Sequence, residues 1–264
     1  MEMKMKKRFG IFGTGFLGGV IADAWKRGFL EDWELIGVCG RNAEKTAALA
    51  EKHGVPALST VDELIALRPD YIAEAASGKG VRDNAEKILS SGIGMIVLSI
   101  GAFADEEFRK RVGETAREHG VHVHLASGAV GGFDVLRTIS LMGAKEFSFR
   151  SQKNAKSLIG TPVENDHMMT DTETKRAFEG SATEAIALLP TKVNVAVASS
   201  LASVGPDNTK MVIDTVPGFV GDEYTLKTSA PGVWTEIEIY SATSEIAAWS
   251  VVAAMRNITE PFVF

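Results

Sequence analysis

The stretch from Arg8 to Gly18, Arg-Phe-Gly-Ile-Phe-Gly-Thr-Gly-Phe-Leu-Gly, constrains this chain more than any other. The apolar run Phe9 to Phe12 reads as a buried strand that stops at Gly13. Gly13, Gly15 and Gly18 then fall at the G-x-G-x-x-G spacing. In such a turn the first glycine allows the tight reversal, the second lets backbone approach a diphosphate, and the third lets the next helix pack closely. Leu17, Val20, Ile21 and Ala24 follow at helical spacing, and Gly28 reads as a C-cap. The helix therefore opens with free N–H groups and a positive dipole end, which suit an anion. The spacing alone is weak in a chain with 26 glycines. The strand before it and the amphipathic helix after it carry the expectation of a dinucleotide site at Gly13, Gly15, Phe16, Leu17 and Gly18, against a purely structural turn.

Strands and helices then alternate. Glu34 to Cys39 reads as a second strand, and Asn42 caps a helix from Ala43 to His53 closed by Gly54. Thr60 with Glu63 reads as a capping box ahead of a short helix that Pro69 stops. Strands at Tyr71 to Ala76, Met95 to Ile100 and Val121 to Leu125 are separated by helices at Val81 to Ser91 and Asp105 to His119. This rhythm implies an α/β domain with a doubly wound, Rossmann-type parallel sheet. The loops at Ser77, just after Ala76 ends its strand, at Ser99 to Ala102 and at Ala126 to Gly132 fall at its carboxyl edge, where ligands sit. Ser99 and Gly101 are compatible with a nicotinamide cradle, although Gly101 alone could simply ease a turn.

Beyond residue 130 the rhythm changes. Glu146 to Arg150 alternates as a half-exposed strand, and the polar stretch Ser151 to Lys175 reads as a long loop. Ser181 with Glu184 forms a second capping box, opening a helix ended by Pro190, and Asn194 to Ala202 reads as another helix. Lys210 to Val216, Glu223 to Thr228 and Val233 to Tyr240 look like three strands of one open sheet. Ser244 caps a closing helix, Glu245 to Arg256. The expected organisation is a dinucleotide-binding domain of residues 1–126 plus 242–264, with residues 127–241 forming a second α+β domain of mixed open sheet for substrate binding and dimerisation.

With 264 residues the chain is long enough for two domains of about 130 residues each. Its 28 basic and 34 acidic residues give a net charge of −6, with no basic run beyond Lys4 to Arg8, so neither nucleic acid nor an anionic membrane surface is an expected partner. The longest apolar runs are too short to span a bilayer, and the basic N-terminus feeds straight into the first strand rather than into a signal-type apolar region. The single cysteine, Cys39, rules out an internal disulfide framework and a Cys-based zinc cluster. The expectation is a soluble, cytoplasmic protein.

Several blocks resemble the L-aspartate dehydrogenase family over nearly the whole chain: Glu74-Ala-Ala-Ser77, Leu98-Ser-Ile-Gly-Ala102 with Asp105, Ser127-Gly-Ala-Val-Gly-Gly-Phe-Asp134, Phe178-Glu-Gly-Ser-Ala182 and Val193-Asn-Val-Ala196. The resemblance implies hydride transfer between a nicotinamide and an amino acid's α-carbon, through an imine hydrolysed to a keto acid and ammonia. It implies a small carboxylated amino-acid or keto-acid substrate, a homodimer, and dinucleotide contacts at Ala129 and Asn194. From the residues alone, Ala129 could be a helix entry and Asn194 an N-cap. One departure concerns chemistry. The family's acid/base histidine precedes an Ile-Glu-Ile strand by roughly a dozen residues, and counting back from Ile237-Glu-Ile239 places Tyr224 there. The Asn-Pro-Lys-Thr-Ser stretch of the family is shortened here to Ala242-Thr-Ser244.

A tyrosine, with a reference pKa near 10, serves at neutral pH as a proton donor rather than a base. Lys227 is a remote candidate for tuning it, and Tyr224 could equally be a strand aromatic. Among the five histidines, His53 and His119 end helices, while His122 and His124 share a strand face without a ligating partner pattern, so no metal site is expected. His167, in the polar loop beside Asp166, is the candidate substitute base, or else a solvated loop residue.

Cofactor choice turns on the end of the second strand. NAD sites place an acidic residue about 20 positions beyond the glycine motif, on the ribose 2′-hydroxyl. Here that position is Gly40, followed by Arg41 and Asn42. Without the carboxylate a 2′-phosphate is not repelled, and Arg41 offers a fork of donors for it. The expectation is NADP(H) in preference to NAD(H), though not absolutely, with Arg41 stacking on adenine as the alternative.

Overall fold

The computed structural model describes residues 5–264. The chain divides into two compact units, one running to Gly128 and including Glu245–Phe264, the other comprising Ala129–Ser244.

The first unit opens with β1 (Lys7–Phe12), α1 (Phe16–Lys26), β2 (Trp33–Cys39), α2 (Ala43–His53), β3 (Ala57–Leu58) and α3 (Val61–Ala66). It continues with β4 (Tyr71–Glu74), α4 (Gly78–Ser90), β5 (Gly94–Val97), a 3-10 turn over Ile100–Ala104, α5 (Glu106–Glu118) and β6 (Val123–Leu125). All strand pairs are parallel, in the order β3-β2-β1-β4-β5-β6. The chain order reverses between β1 and β4, which creates the crevice at which such sheets bind ligands. Strands buried on both faces read as continuous apolar runs, as at Phe9 to Phe12 and Met95 to Val97.

The last helix, α9 (Glu245–Thr259), belongs to this unit. Its Ala248, Val251, Val252 and Met255 share a core with Ile21, Ala24 and Trp33. The Trp33 indole N–H donates to the Met255 carbonyl at 3.2 Å, so the buried ring has a partner for its polar atom. No helix among the described residues is long and apolar enough to cross a membrane.

The second unit contains α6 (Phe133–Leu141), β7 (Phe147–Lys153), β8 (Lys175–Ser181), α7 (Ala182–Leu188), α8 (Asn194–Leu201), β9 (Thr209–Thr215), β10 (Asp222–Ala230) and β11 (Val233–Ser241). Its five strands lie in the order β11-β10-β7-β9-β8. Only β7 and β9 are parallel. Phe147, Phe149, Met211, Ile213 and Leu226 from the strands pack with Leu136, Ala185 and Ala196 from the helices.

The expected three-strand sheet is thus five-stranded. β7 runs on to Lys153 and sits centrally, and the supposed loop ends in edge strand β8, whose mostly half-exposed, polar side chains show no clean alternation. Helix α6 enters from Gly132, a left-handed glycine without a capping side chain, so it lacks a polar start signal. The Ser181–Glu184 capping box is complete. At Thr60 only half forms, because Glu63 reaches back to the Ser59 N–H instead.

Candidate functional site

At the crevice in the first unit, β1 ends in Gly13, whose φ of 119° is open to glycine and strained for other residues. A Cβ there would overlap the Ala75 backbone just beyond β4. A Cβ on Gly18 would overlap the Gly13 carbonyl oxygen, so the third glycine of the motif lets α1 sit directly on the turn. Gly15 differs from both. It is the N-cap of α1, nothing lies within 4 Å of where its Cβ would be, and no side chain caps the helix. The first turn of α1 also carries no acidic residue, which leaves a helix start suited to an anion.

A cavity of about 480 Å³ opens beside this turn. It brings together Gly13, Gly15, Gly40, Arg41, Asn42, Ala76 and Ser77, and adds Thr14, Lys45 and Ser59. Asn42 caps α2 by accepting from the Lys45 N–H at 2.8 Å. Arg41 and Lys45 are exposed. A Cβ on Gly40 would run into the Thr14 hydroxyl, which is held 2.9 Å from the Thr46 hydroxyl. Two threonines therefore occupy the space that an acidic side chain at position 40 would need.

The far wall is organised by Glu74, at the end of β4 and fully buried. Its Oε1 accepts from the Ala76 N–H at 2.8 Å, the Ser77 N–H at 3.0 Å and the Ser99 hydroxyl at 2.8 Å. Its Oε2 accepts from the Ser99 N–H at 3.0 Å. Burial pushes this carboxyl above the ordinary carboxylate range, and the four donors act against that rise. Ser77 uses its hydroxyl to cap α4, accepting from Gly80 N–H at 3.1 Å. Ser99 commits both of its donors to Glu74, and Gly101 is buried in the 3-10 turn, so neither lines the cavity.

In the second unit, Ala129 is a half-buried residue ahead of α6. Asn194 is the first helical residue of α8, with Val193 rather than Asn194 at the N-cap. His167 is exposed, and its backbone carbonyl accepts from Thr170 and Asp171 within a turn. Tyr224 is 5% exposed, packed 5.6 Å from the Phe149 ring. Burial, first, and the nearby Asp222 carboxylate, second, drive its pKa well above the ordinary phenol value. The phenol thus keeps its proton and can serve as a donor. Lys227 is paired with Glu236 at 2.7 Å and is exposed, whereas Lys153 is the lysine of the buried face, 3.1 Å from Asp222. Reading Ser151 to Lys153 as loop concealed it, although Phe147, Phe149, Ser151 and Lys153 alternate with period two. Among the described residues no group of three or more side chains could hold a metal ion.

A parallel sheet of this order, with a glycine turn at its reversal point, is the architecture of dinucleotide-dependent oxidoreductases. Two family models agree with it. One described as homoserine dehydrogenase, NAD binding domain, matches residues 13–126, and one described as aspartate dehydrogenase, C-terminal, matches residues 134–258. The chain is 33% identical to an L-aspartate dehydrogenase of Methanosarcina acetivorans and 31% identical to one of Methanococcus maripaludis, in each case across 96% of this chain and 97% of the relative. A crystal structure of aspartate dehydrogenase from Thermotoga maritima superposes with a TM-score of 0.79 at 26% identity, covering 98% of this chain and 99% of that one. The chain belongs to the L-aspartate dehydrogenase family, and is an NAD(P)-dependent oxidoreductase of that family.

The glycine geometry makes a direct prediction. Gly13→Ala and Gly18→Ala should each destabilise the first unit by about 2–4 kcal/mol, lowering its thermal midpoint by on the order of 5–10 °C. Gly15→Ala should leave it unchanged. Equal midpoints for all three in calorimetry would contradict the packing described.

Proposed function

We propose that the protein is an NADP(H)-preferring dehydrogenase of L-aspartate or a closely similar small amino acid with a carboxylated side chain, working in the cytoplasm as a homodimer. The observation that carries the cofactor reading is the cavity at the end of β1 and β2. Its glycine turn leaves open space at Gly15, and Arg41 and Lys45 stand at its rim without an acidic residue at position 40. In this reading the α1 N-terminus holds the diphosphate and Gly13, Gly15, Phe16, Leu17 and Gly18 contribute backbone to it. Arg41, with Asn42 beside it, takes the 2′-phosphate, and Ala76 and Ser77 lie further along the same wall. Glu74 fixes that wall, and Ser99 and Gly101 act behind it rather than as direct contacts. The family resemblance adds Ala129 and Asn194 as dinucleotide contacts. When bound, the nicotinamide supplies the hydride acceptor for oxidation of the substrate α-carbon, or the donor in the reverse direction.

The relatives, L-aspartate dehydrogenases matched over 97% of their length, support this choice of substrate. Tyr224 stays protonated through neutral pH and acts as a hydrogen-bond donor, not as a base. His167, in its exposed turn, has no role in this reading. The second unit provides the substrate-binding side of the enzyme and the dimer contact. Its edge strand β11 exposes Trp234 and Tyr240, at 75% and 56%, which a partner's surface would cover.

The activity is read by following NADPH oxidation with oxaloacetate, with and without ammonium. Turnover only with ammonium is expected. Turnover without ammonium would make the protein a carbonyl reductase, and none with any keto acid would overturn the enzymatic reading. Arg41→Ala should weaken NADPH about tenfold or more while leaving NADH within a factor of about two. Equal losses for both cofactors would refute the 2′-phosphate assignment. Light scattering at micromolar concentration should give the dimer mass, and a monomer mass would remove the proposed interface.

A further inference from the structure

The buried face of the second unit's sheet changes character along its length. In register across β7 and β10, Phe147 faces Thr228 and Phe149 faces Leu226. Ser151 then faces Tyr224, and Lys153 faces Asp222. The apolar end is ordinary core. The polar end is not, because it places an ammonium, a carboxylate, a phenol and a serine hydroxyl side by side where a core needs none.

The details are specific. Lys153 Nζ lies 3.1 Å from Asp222 Oδ1, with the lysine side chain 8% exposed and the aspartate 40% exposed. Ser151 is buried, and its hydroxyl finds no hydrogen-bond partner. Tyr224, two residues along β10 on the same face, is close enough for the Asp222 carboxylate to raise its pKa, so the carboxylate has an ammonium on one side and a phenol near the other. Its backbone is fixed as well. The preceding Gly221 has a φ of 81°, and a Cβ there would overlap the Ser241 carbonyl, which locks the start of β10 against the end of β11.

An ion pair whose lysine is buried is weak support for a fold, since desolvation of the ammonium offsets its attraction, and a buried hydroxyl without a partner is unfavourable. Such a cluster is better explained by a ligand that completes it. Its charges decide which ligand. Lys153 and Asp222 neutralise each other, so a plain anion meets the aspartate as well as the lysine, and a plain cation meets the lysine. A molecule with a carboxylate and an ammonium on one carbon gives each residue its counter-charge, and Ser151 adds a hydrogen bond to the carboxylate. We propose that Lys153, Asp222 and Ser151 form the recognition site for the zwitterionic head of an α-amino acid, with Lys153 and Ser151 on its carboxylate, Asp222 on its ammonium and Tyr224 as the positioning residue that orients Asp222. This rests on the amino-acid dehydrogenase reading and assigns the residues that would read its substrate.

The test exploits the difference between an amino acid and its keto acid. Binding of L-aspartate and of oxaloacetate is titrated calorimetrically, and KM is measured in both directions, for the intact protein and for Lys153→Met, Lys153→Arg, Asp222→Asn and Tyr224→Phe, each checked for an unchanged fold by circular dichroism. Lys153→Met should weaken both ligands by about tenfold or more, and Lys153→Arg should restore part of that loss. Asp222→Asn should weaken L-aspartate alone, because oxaloacetate has no ammonium. Tyr224→Phe should follow Asp222→Asn in direction with a smaller effect. Wild-type affinity for L-aspartate in both Lys153→Met and Asp222→Asn, or equal weakening of both ligands in Asp222→Asn, would overturn the assignment while leaving the dehydrogenase reading intact. If the intact protein neither binds nor turns over any α-amino acid, both readings fall together.

Discussion

The contact on which the first unit most depends is a single carboxylate. Glu74 sits at the reversal point of the parallel sheet with no exposure and accepts four hydrogen bonds, two from the chain leaving β4 and two from Ser99 after β5. Removing an acceptor at such a place strands several donors in a dry interior, which is costlier than any one of the bonds is favourable. The carboxylate thereby ties together two loops that otherwise have no regular structure in common. In the same crevice, the Ala75 and Ala76 backbone just beyond β4 leaves no room for a side chain at Gly13. Together they give the crevice a backbone-defined wall, against which a flat, anionic ligand can be placed without further ordering of side chains.

In the proposed reading, cofactor selectivity rests on small groups rather than on a dedicated pocket. Thr14 and Thr46 fill the place in which an acidic residue would select the unphosphorylated ribose, and the cations of Arg41 and Lys45 lie on solvent-exposed positions nearby. Exposed cations attract a phosphate without being committed to a buried pair, which agrees with a preference that is graded rather than absolute. The second unit uses the reverse strategy. There a buried lysine is paired with a half-exposed aspartate at the end of a sheet face, and such a pair favours a ligand that can replace both of its charges.

Much of this was legible in the sequence where local chemistry and the final fold agree. The run from Arg8 to Gly18 states strand, turn and helix in consecutive residues, and Asn42 and Ser181 carry their caps on their own side chains. Elements without such signals were not legible. Helix α6 starts from a bare left-handed glycine, β8 is a polar edge strand, and the last three residues of β7 resemble loop until the neighbouring β9 and β10 are known. The site residues divide in the same way. Gly15 and Arg41 are recognisable from spacing, whereas the role of Glu74 depends on Ser99, 25 residues later. Tyr224 was identifiable as a donor by its chemistry, but the neighbouring carboxylate that raises its pKa, Asp222, became evident only when the two were placed on one face of a strand.

The central claim is that a phosphorylated nicotinamide dinucleotide lies along the carboxyl edge of β1, β2 and β4. Amide hydrogen exchange measured with and without NADPH tests this most directly. Slowed exchange is expected in peptides spanning residues 13–18, 40–46 and 75–78, with a weaker effect from NADH at 40–46 alone among the three. Exchange unchanged by NADPH in all three segments would contradict the account.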